Sequence, residues 1–80
     1  MKEKIKNLKV GQVLFYAYDD RPFDGYGISK CTIKEICDDH MILLDDMSSL
    51  WIEYEYYVGP KDSSIAVFDT EEEAKKWLGI

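Results

Sequence analysis

Residues 13–18 read VLFYAY, six positions without a charge, in which Val13, Phe15 and Ala17 alternate with Leu14, Tyr16 and Tyr18. β-Branched and aromatic side chains at period two predict a strand. Both of its faces are apolar, so one is expected to close a core and the other to be offered to a partner. The stretch from Asp19 to Gly27 concentrates Asp, Pro and Gly and reads as a long hairpin loop of the kind that carries function. A second strand follows over residues 28–37, ISKCTIKEIC, with Cys31, Ile33 and Cys37 facing inward and Lys30, Thr32 and Lys34 outward. Its alternation slips at Ile36, which predicts a bulge. Asp38, Asp39 and His40 form a tight turn into a third strand, MILLD, and residues 45–49 turn again into a fourth, LWIEYEYYV. In that fourth strand Ile52, Tyr54, Tyr56 and Val58 share one face, and Trp51, Glu53, Glu55 and Tyr57 share the other.

Gly59 to Ser64 reads as a loop and Ile65 to Phe68 as a short last strand. Thr70 and Glu73 then stand at the spacing of a capping box, and Glu71 and Glu72 complement the positive end of a helix dipole. Ala74, Trp77 and Leu78 fall on one apolar stripe that docks on the sheet, with Lys75 and Lys76 near the helix end and Gly79 as its stop. Five strands, opened by a Val10-Gly11 turn and closed by a helix, predict a mainly β, α+β fold. Its form is a five-stranded, strongly bent antiparallel small β-barrel of the SH3-like type with a C-terminal α-helix. The chain reads as a single domain over residues 1–80, divided into a basic N-terminal arm (1–9), the barrel (10–68) and the helix (70–78). Within the arm, Ile5 and Leu8 are expected to lay one turn across the barrel edge.

Length supports the single domain: 80 residues with 46% hydrophobic positions are too few for two domains and too apolar for a disordered tail. A core of this size leans on its aromatic side chains. The net charge of −6 is unevenly spread. Lys2, Lys4, Lys6 and Lys9 against Glu3 make residues 1–9 +3, which leaves −9 on residues 10–80. No Lys or Arg stands between Lys34 and Lys61, while Glu35, Asp38, Asp39, Asp45, Asp46, Glu53 and Glu55 supply seven carboxylates there. Because Lys and Arg supply most of the affinity for phosphate backbones, direct nucleic-acid binding is not expected. The same field attracts a basic protein surface. No apolar run approaches the ~20 residues of a membrane span, and the N-terminal lysines lack the apolar stretch of a signal peptide, so a cytoplasmic protein is expected.

Candidate chemistry is sparse. Cys31 and Cys37 lie six apart on one strand, roughly 20 Å at the strand rise, so they are expected to be free thiols. With His40 as the one further soft ligand, no zinc site is expected, and Pro22 in DDRPFDG interrupts a calcium loop. The pairs Asp38/Asp39 and Asp45/Asp46 could hold a hard cation but read as solvated turn formers, so neither metal nor cofactor is expected. His40 is the candidate general base, yet no nucleophile or oxyanion pattern accompanies it, and a non-enzymatic protein is expected.

KVGQVLFYAY at residues 9–18 and VFDTEEEAKKWL at residues 67–78 resemble the two ends of many small proteins encoded by phages, prophages and mobile elements of low-GC bacteria. Those proteins open with a Val-Gly turn feeding a strand and close with a Phe-x-Thr-x-Glu-Glu-Ala helix. The resemblance implies an accessory role; some small acidic phage proteins inhibit host defence nucleases by imitating nucleic acid. No site residue transfers through it, because the shared ends determine fold.

The leading expectation is therefore an acidic protein that occupies the basic surface of a host protein, such as a nuclease or a nuclease-guide complex. Asp38, Asp39, Asp45, Asp46, Glu53 and Glu55 would supply the field, with Trp51, Tyr57, Phe23 and Tyr26 as anchors that stack on Arg or fill pockets. The competing reading of Trp51 and Tyr57 packs them beneath the helix through Trp77. Two other functions compete with mimicry. One is an SH3-like module that takes a peptide or an identical subunit, as a homodimer, through a sheet edge or a groove of Tyr16, Tyr18 and Tyr54. The other is a small-nucleotide trap, which would need Lys2, Lys4, Lys6 or Arg21.

Overall fold

A computed structural model describes residues 8–80; the expectations for Ile5 and for Lys2, Lys4 and Lys6 lie outside the described residues. Five strands run β1 (Val13–Asp20), β2 (Gly25–Ile36), β3 (His40–Leu44), β4 (Ser49–Glu53) and β5 (Ile65–Phe68), followed by helix α1 (Glu71–Leu78). The sheet is antiparallel throughout, in the order β4-β3-β2-β1-β5. It is strongly curled into a half-barrel with the helix at its end, the small bent barrel that strand count and turn spacing predict.

Each face of the curled sheet has its own apolar cluster. Inside the curl, Leu14, Cys31, Ile33, Met41, Leu43, Ile52 and Val67 pack with Tyr54, Tyr57 and Leu8. Leu8 is thus a core residue, and the chain after it is fastened by the Gly11 N–H to the Ile33 carbonyl and the Ile33 N–H to the Gln12 carbonyl. On the outer face Ala17, Ala66 and Phe68 meet Ala74 and Leu78 of α1, with Phe15, Ile28 and Trp77 around them. The second apolar face of β1 is therefore covered by the chain's own helix at Phe15 and Ala17, while Val13 stays exposed. Small side chains at Ala17, Ala66 and Ala74 let the helix approach closely.

Local chemistry sets the helix ends as expected. The Thr70 side chain accepts from the Glu73 N–H, and Gly79, at φ 80°, stops the helix in the left-handed region that favours glycine. The bulge also forms: Ile33 pairs with Leu43 but Glu35 with Ile42, so Lys34 is the extra residue. The slip reverses the inward phase, and Ile36, not Cys37, packs against the core. Cys37 instead lies past the strand end, and both thiols are free.

Two boundaries differ from the sequence pattern. The hairpin loop expected over Asp19 to Gly27 shrinks to four residues, because β1 and β2 pair as far as Asp20 and Gly25. Gly25 sits at φ 90°, and the Phe23 and Asp24 N–H groups both donate to the Asp20 carbonyl. The fourth strand stops at Glu53, after which Tyr54–Tyr56 form a 3-10 turn. That turn swings the chain across the end of the curl. There the Val58 N–H donates to the Val67 carbonyl at 2.6 Å and Tyr57 bridges to Val67, covering the edge of β5.

Candidate functional site

The basic-free segment runs from the end of β2 through the β3–β4 hairpin and the 3-10 turn, and its hairpin lies at the far edge of the sheet from the helix. Its register sets His40 opposite Glu53, Ile42 opposite Trp51 and Leu44 opposite Ser49. Alternation sends Met41, Leu43 and Ile52 into the core, so His40, Ile42, Leu44, Trp51 and Glu53 share the outer face. α1 packs on β1, β5 and β2, and this part of the outer face lies beyond it. Trp51 is 60% exposed there, 4.6 Å from the His40 ring centre to centre. Leu44 and Val13 are also exposed, and Met47 in the β3–β4 turn is 94% exposed. An open groove of about 830 Å³ runs beside this turn, lined by Ile28, Lys30 and Thr32 on one side and Leu44, Asp45, Asp46 and Met47 on the other.

The acidic residues form two groups. Asp38 and Asp39 precede β3 and Asp45 and Asp46 follow it, so the turns lie at opposite ends of the strand, roughly 20 Å apart over six residues. Glu53, opposite His40, belongs to the first end, and Glu35, opposite Ile42, flanks the middle. Glu55 is exposed on the 3-10 turn beyond β4. The hairpin thus carries an apolar centre around Trp51 with carboxylates at both ends.

Some of these carboxylates have structural partners. Asp45 accepts from the N–H groups of Met47 (2.9 Å) and Ser48 (2.8 Å), which hold its pKa below the usual value. Asp39 Oδ1 lies 2.6 Å from His40 Nδ1, and this hydrogen bond lowers the Asp39 pKa. Neither thiol is activated as a nucleophile. The hydrogen bond from Cys37 Sγ to Glu35 at 3.2 Å pushes the Cys37 pKa up, and burial does the same to Cys31. No group of three His, Cys, Asp or Glu among the described residues could hold a metal ion.

No family model matches the chain, and neither a curated protein nor a solved structure matches it. No helix is long and apolar enough to cross a membrane among the described residues.

The expected anchors do not all meet. Tyr57 is 6% exposed, and its hydroxyl donates to Asp69 Oδ1 at 2.6 Å, so it is a core residue and leaves the row of Trp51 and Glu53. The 3-10 turn is the cause, since it breaks the alternation that would have put Tyr57 beside Glu53. Neither aromatic packs beneath the helix through Trp77: that indole packs on Phe68 and donates to the Pro60 carbonyl. Phe23, 85% exposed, and Tyr26 sit at the β1–β2 tip. Tyr26 is nine residues along β2 from Glu35, the neighbour of Ile42, or roughly 30 Å at the strand rise. These two therefore form a separate exposed tip.

The residues of the competing readings are also committed elsewhere. Arg21 forks onto Asp19 at 2.8 and 2.9 Å, donates to the Leu78 carbonyl at 2.7 Å and covers the Tyr26 ring. It ties the hairpin tip to the helix end, and Asp19 is held at a pKa of about 2 by those hydrogen bonds. Tyr54 is buried with its hydroxyl on the Cys37 carbonyl, and Tyr16 packs into the core. Tyr18 lies over Gly27, whose missing side chain leaves room for the ring. Tyr16 and Tyr18 are neighbours, with ring centres 6.4 Å apart, while Tyr54 belongs to the 3-10 turn. Ile42, Leu44 and Met47 were the residues missed; a lone apolar turn residue, Met47, was their one legible signal.

Proposed function

We propose that this protein is a non-enzymatic acidic binding module whose β3–β4 hairpin occupies a basic surface on a partner protein, of the kind that a nuclease or other nucleic-acid-binding protein presents to phosphates. The observation that carries this reading is the exposed Trp51 centre flanked by two carboxylate groups in a 26-residue stretch without a base. An apolar or aromatic centre with a charged rim is the usual anatomy of a protein interface, and Trp is enriched among residues that dominate binding energy. The rim steers a basic partner, and the ring can stack on an Arg plane. Inhibition of a defence nuclease, implied by the resemblance to phage and mobile-element proteins, belongs to the same proposal.

The test is capture of basic nucleic-acid enzymes from bacterial lysate at low and high salt, with wild type, Trp51→Ala and a Glu53→Lys/Asp38→Lys variant side by side. Each captured enzyme is then assayed for activity with the protein added. Recovery at low salt, lost at high salt and in both variants, with inhibition relieved by excess DNA, is the expected result. Capture that is indifferent to salt and to charge reversal would overturn the reading.

A further inference from the structure

The outer backbone edge of β4 is unpaired among the described residues, because β4 ends the strand order and pairs only with β3. The Asp45 N–H closes the turn on the Ser48 carbonyl. Alternation along an antiparallel ladder then turns the backbone groups of Leu50 and Ile52 toward β3 and those of Ser49, Trp51 and Glu53 outward. The opposite edge of the sheet, by contrast, is covered by Tyr57 and Val58. Native edges are commonly blunted by Lys, Pro or a bulge; β4 has none of these, and its one charge is Glu53.

Resting on the acidic-module reading, we infer that the partner presents an extended basic segment that adds to β4 as a sixth strand. Main-chain hydrogen bonds to Ser49, Trp51 and Glu53 would hold it, as in other strand-addition complexes. Alternate side chains of the added strand share the face of Trp51 and Glu53. Arg or Lys at those positions stacks on the exposed indole and pairs with Glu53 and, past the strand end, with Asp38 and Asp39. The other positions face the rim of the core beside Leu50, which is only partly buried, and require aliphatic side chains. The recognised chemistry is thus an alternating basic and β-branched stretch of about five residues. Charge selects this occupant, since residues 35–60 contain no base for an acidic segment to pair with.

The inference is tested with an acetylated, amidated hexapeptide of alternating Arg and Val, two forms of it N-methylated on one or the other alternate set of backbone nitrogens, and its Glu-for-Arg counterpart. Binding to the full chain is followed by NMR and by amide hydrogen exchange. Expected are protection of the Ser49, Trp51 and Glu53 amides by the Arg-Val peptide, at least tenfold weaker binding of one of the two methylation phases, and no binding of the Glu-Val peptide. Glu53 has φ −72°, which proline adopts, so Glu53→Pro removes its outward N–H with little strain. Glu53→Gln removes only the charge. Glu53→Pro should bind three- to tenfold more weakly than Glu53→Gln, with melting curves confirming that both are folded.

Equal binding of the unmethylated peptide and both methylated forms, without amide protection, would overturn strand addition and leave the acidic-surface reading standing. No binding of any basic peptide at low salt would overturn both. Protection of the three amides in the free protein, as a monomer or as a dimer, would show that the edge is already occupied by this chain and overturn the inference.

Discussion

Replacing Tyr57 by Phe removes a single oxygen, yet it should lower stability measurably while leaving the β3–β4 surface intact. The ring is buried in the main cluster, and its hydroxyl donates to Asp69 at 2.6 Å, tying the segment after the 3-10 turn to the end of β5. Phe fills the same space, so no cavity opens; what is lost is a hydrogen bond to a charged acceptor, worth about 1.5–3 kcal/mol. Asp69 is exposed and water can replace the donor, which puts the expected cost at the low end, about 1.5 kcal/mol. For a domain of this size that is a fall in Tm of about 6–12 °C. The phenol pKa is raised from 10.0, first by burial and then by the hydrogen bond to Asp69. A group whose folded pKa lies above its unfolded one stabilises fully below the unfolded value and loses that contribution as pH rises through the folded value. Tyr57→Phe should therefore also lose less stability than wild type on going above pH ~10. Thermal melts by circular dichroism at neutral and alkaline pH measure both effects. A Tm within about 2 °C of wild type at neutral pH, well below the shift that a lost hydrogen bond implies, would refute the assignment of Tyr57 as a core latch.

Thr70→Ala, which deletes the acceptor for the Glu73 N–H, should cost about 1 kcal/mol and lower Tm by about 4–8 °C in the same melts, loosening α1 from β1 and β5. Asp45 carries a lowered pKa because the Met47 and Ser48 N–H groups donate to its carboxylate, so its contribution is present above the unfolded pKa of ~3.9 and lost as pH falls through the folded value. The Met47 and Ser48 amide shifts should accordingly titrate with the Asp45 carboxyl below pH ~4 in NMR spectra, and Asp45→Ala should show the displaced shifts already at pH 7.

Features that depend on neighbours in sequence were legible in the chain. The capping box at Thr70 and Glu73, the Ala74-Trp77-Leu78 stripe, the stop at Gly79 and the bulge before Ile36 are set within a turn or two of backbone. The sequence pattern there corresponds to the observed structure. Period two also separated Leu14 from Phe15 and Ile52 from Trp51 correctly. The charge distribution needed no fold at all to expose a 26-residue stretch without a base.

What the pattern could not specify is what covers each face, because that depends on elements distant in the chain. Phe15 and Ala17 make an apolar face whether a partner or the chain's own helix lies on it, and only the packing of α1 against β1 and β5 decided for the helix. Tyr57 alternates with Glu55 in sequence as it would in a strand, but closing the curl requires the chain to turn at Tyr54, and the resulting 3-10 geometry carries Tyr57 inward to Asp69. Phe23 and Trp51 are both exposed aromatics, yet strand length puts them at different ends of the sheet. By itself the sequence determined the strands, the helix and the sign of the field, all products of local sterics and composition. Tertiary structure decided which aromatic remained in water and where the carboxylates gathered, because burial is shared among residues that only the fold brings into contact.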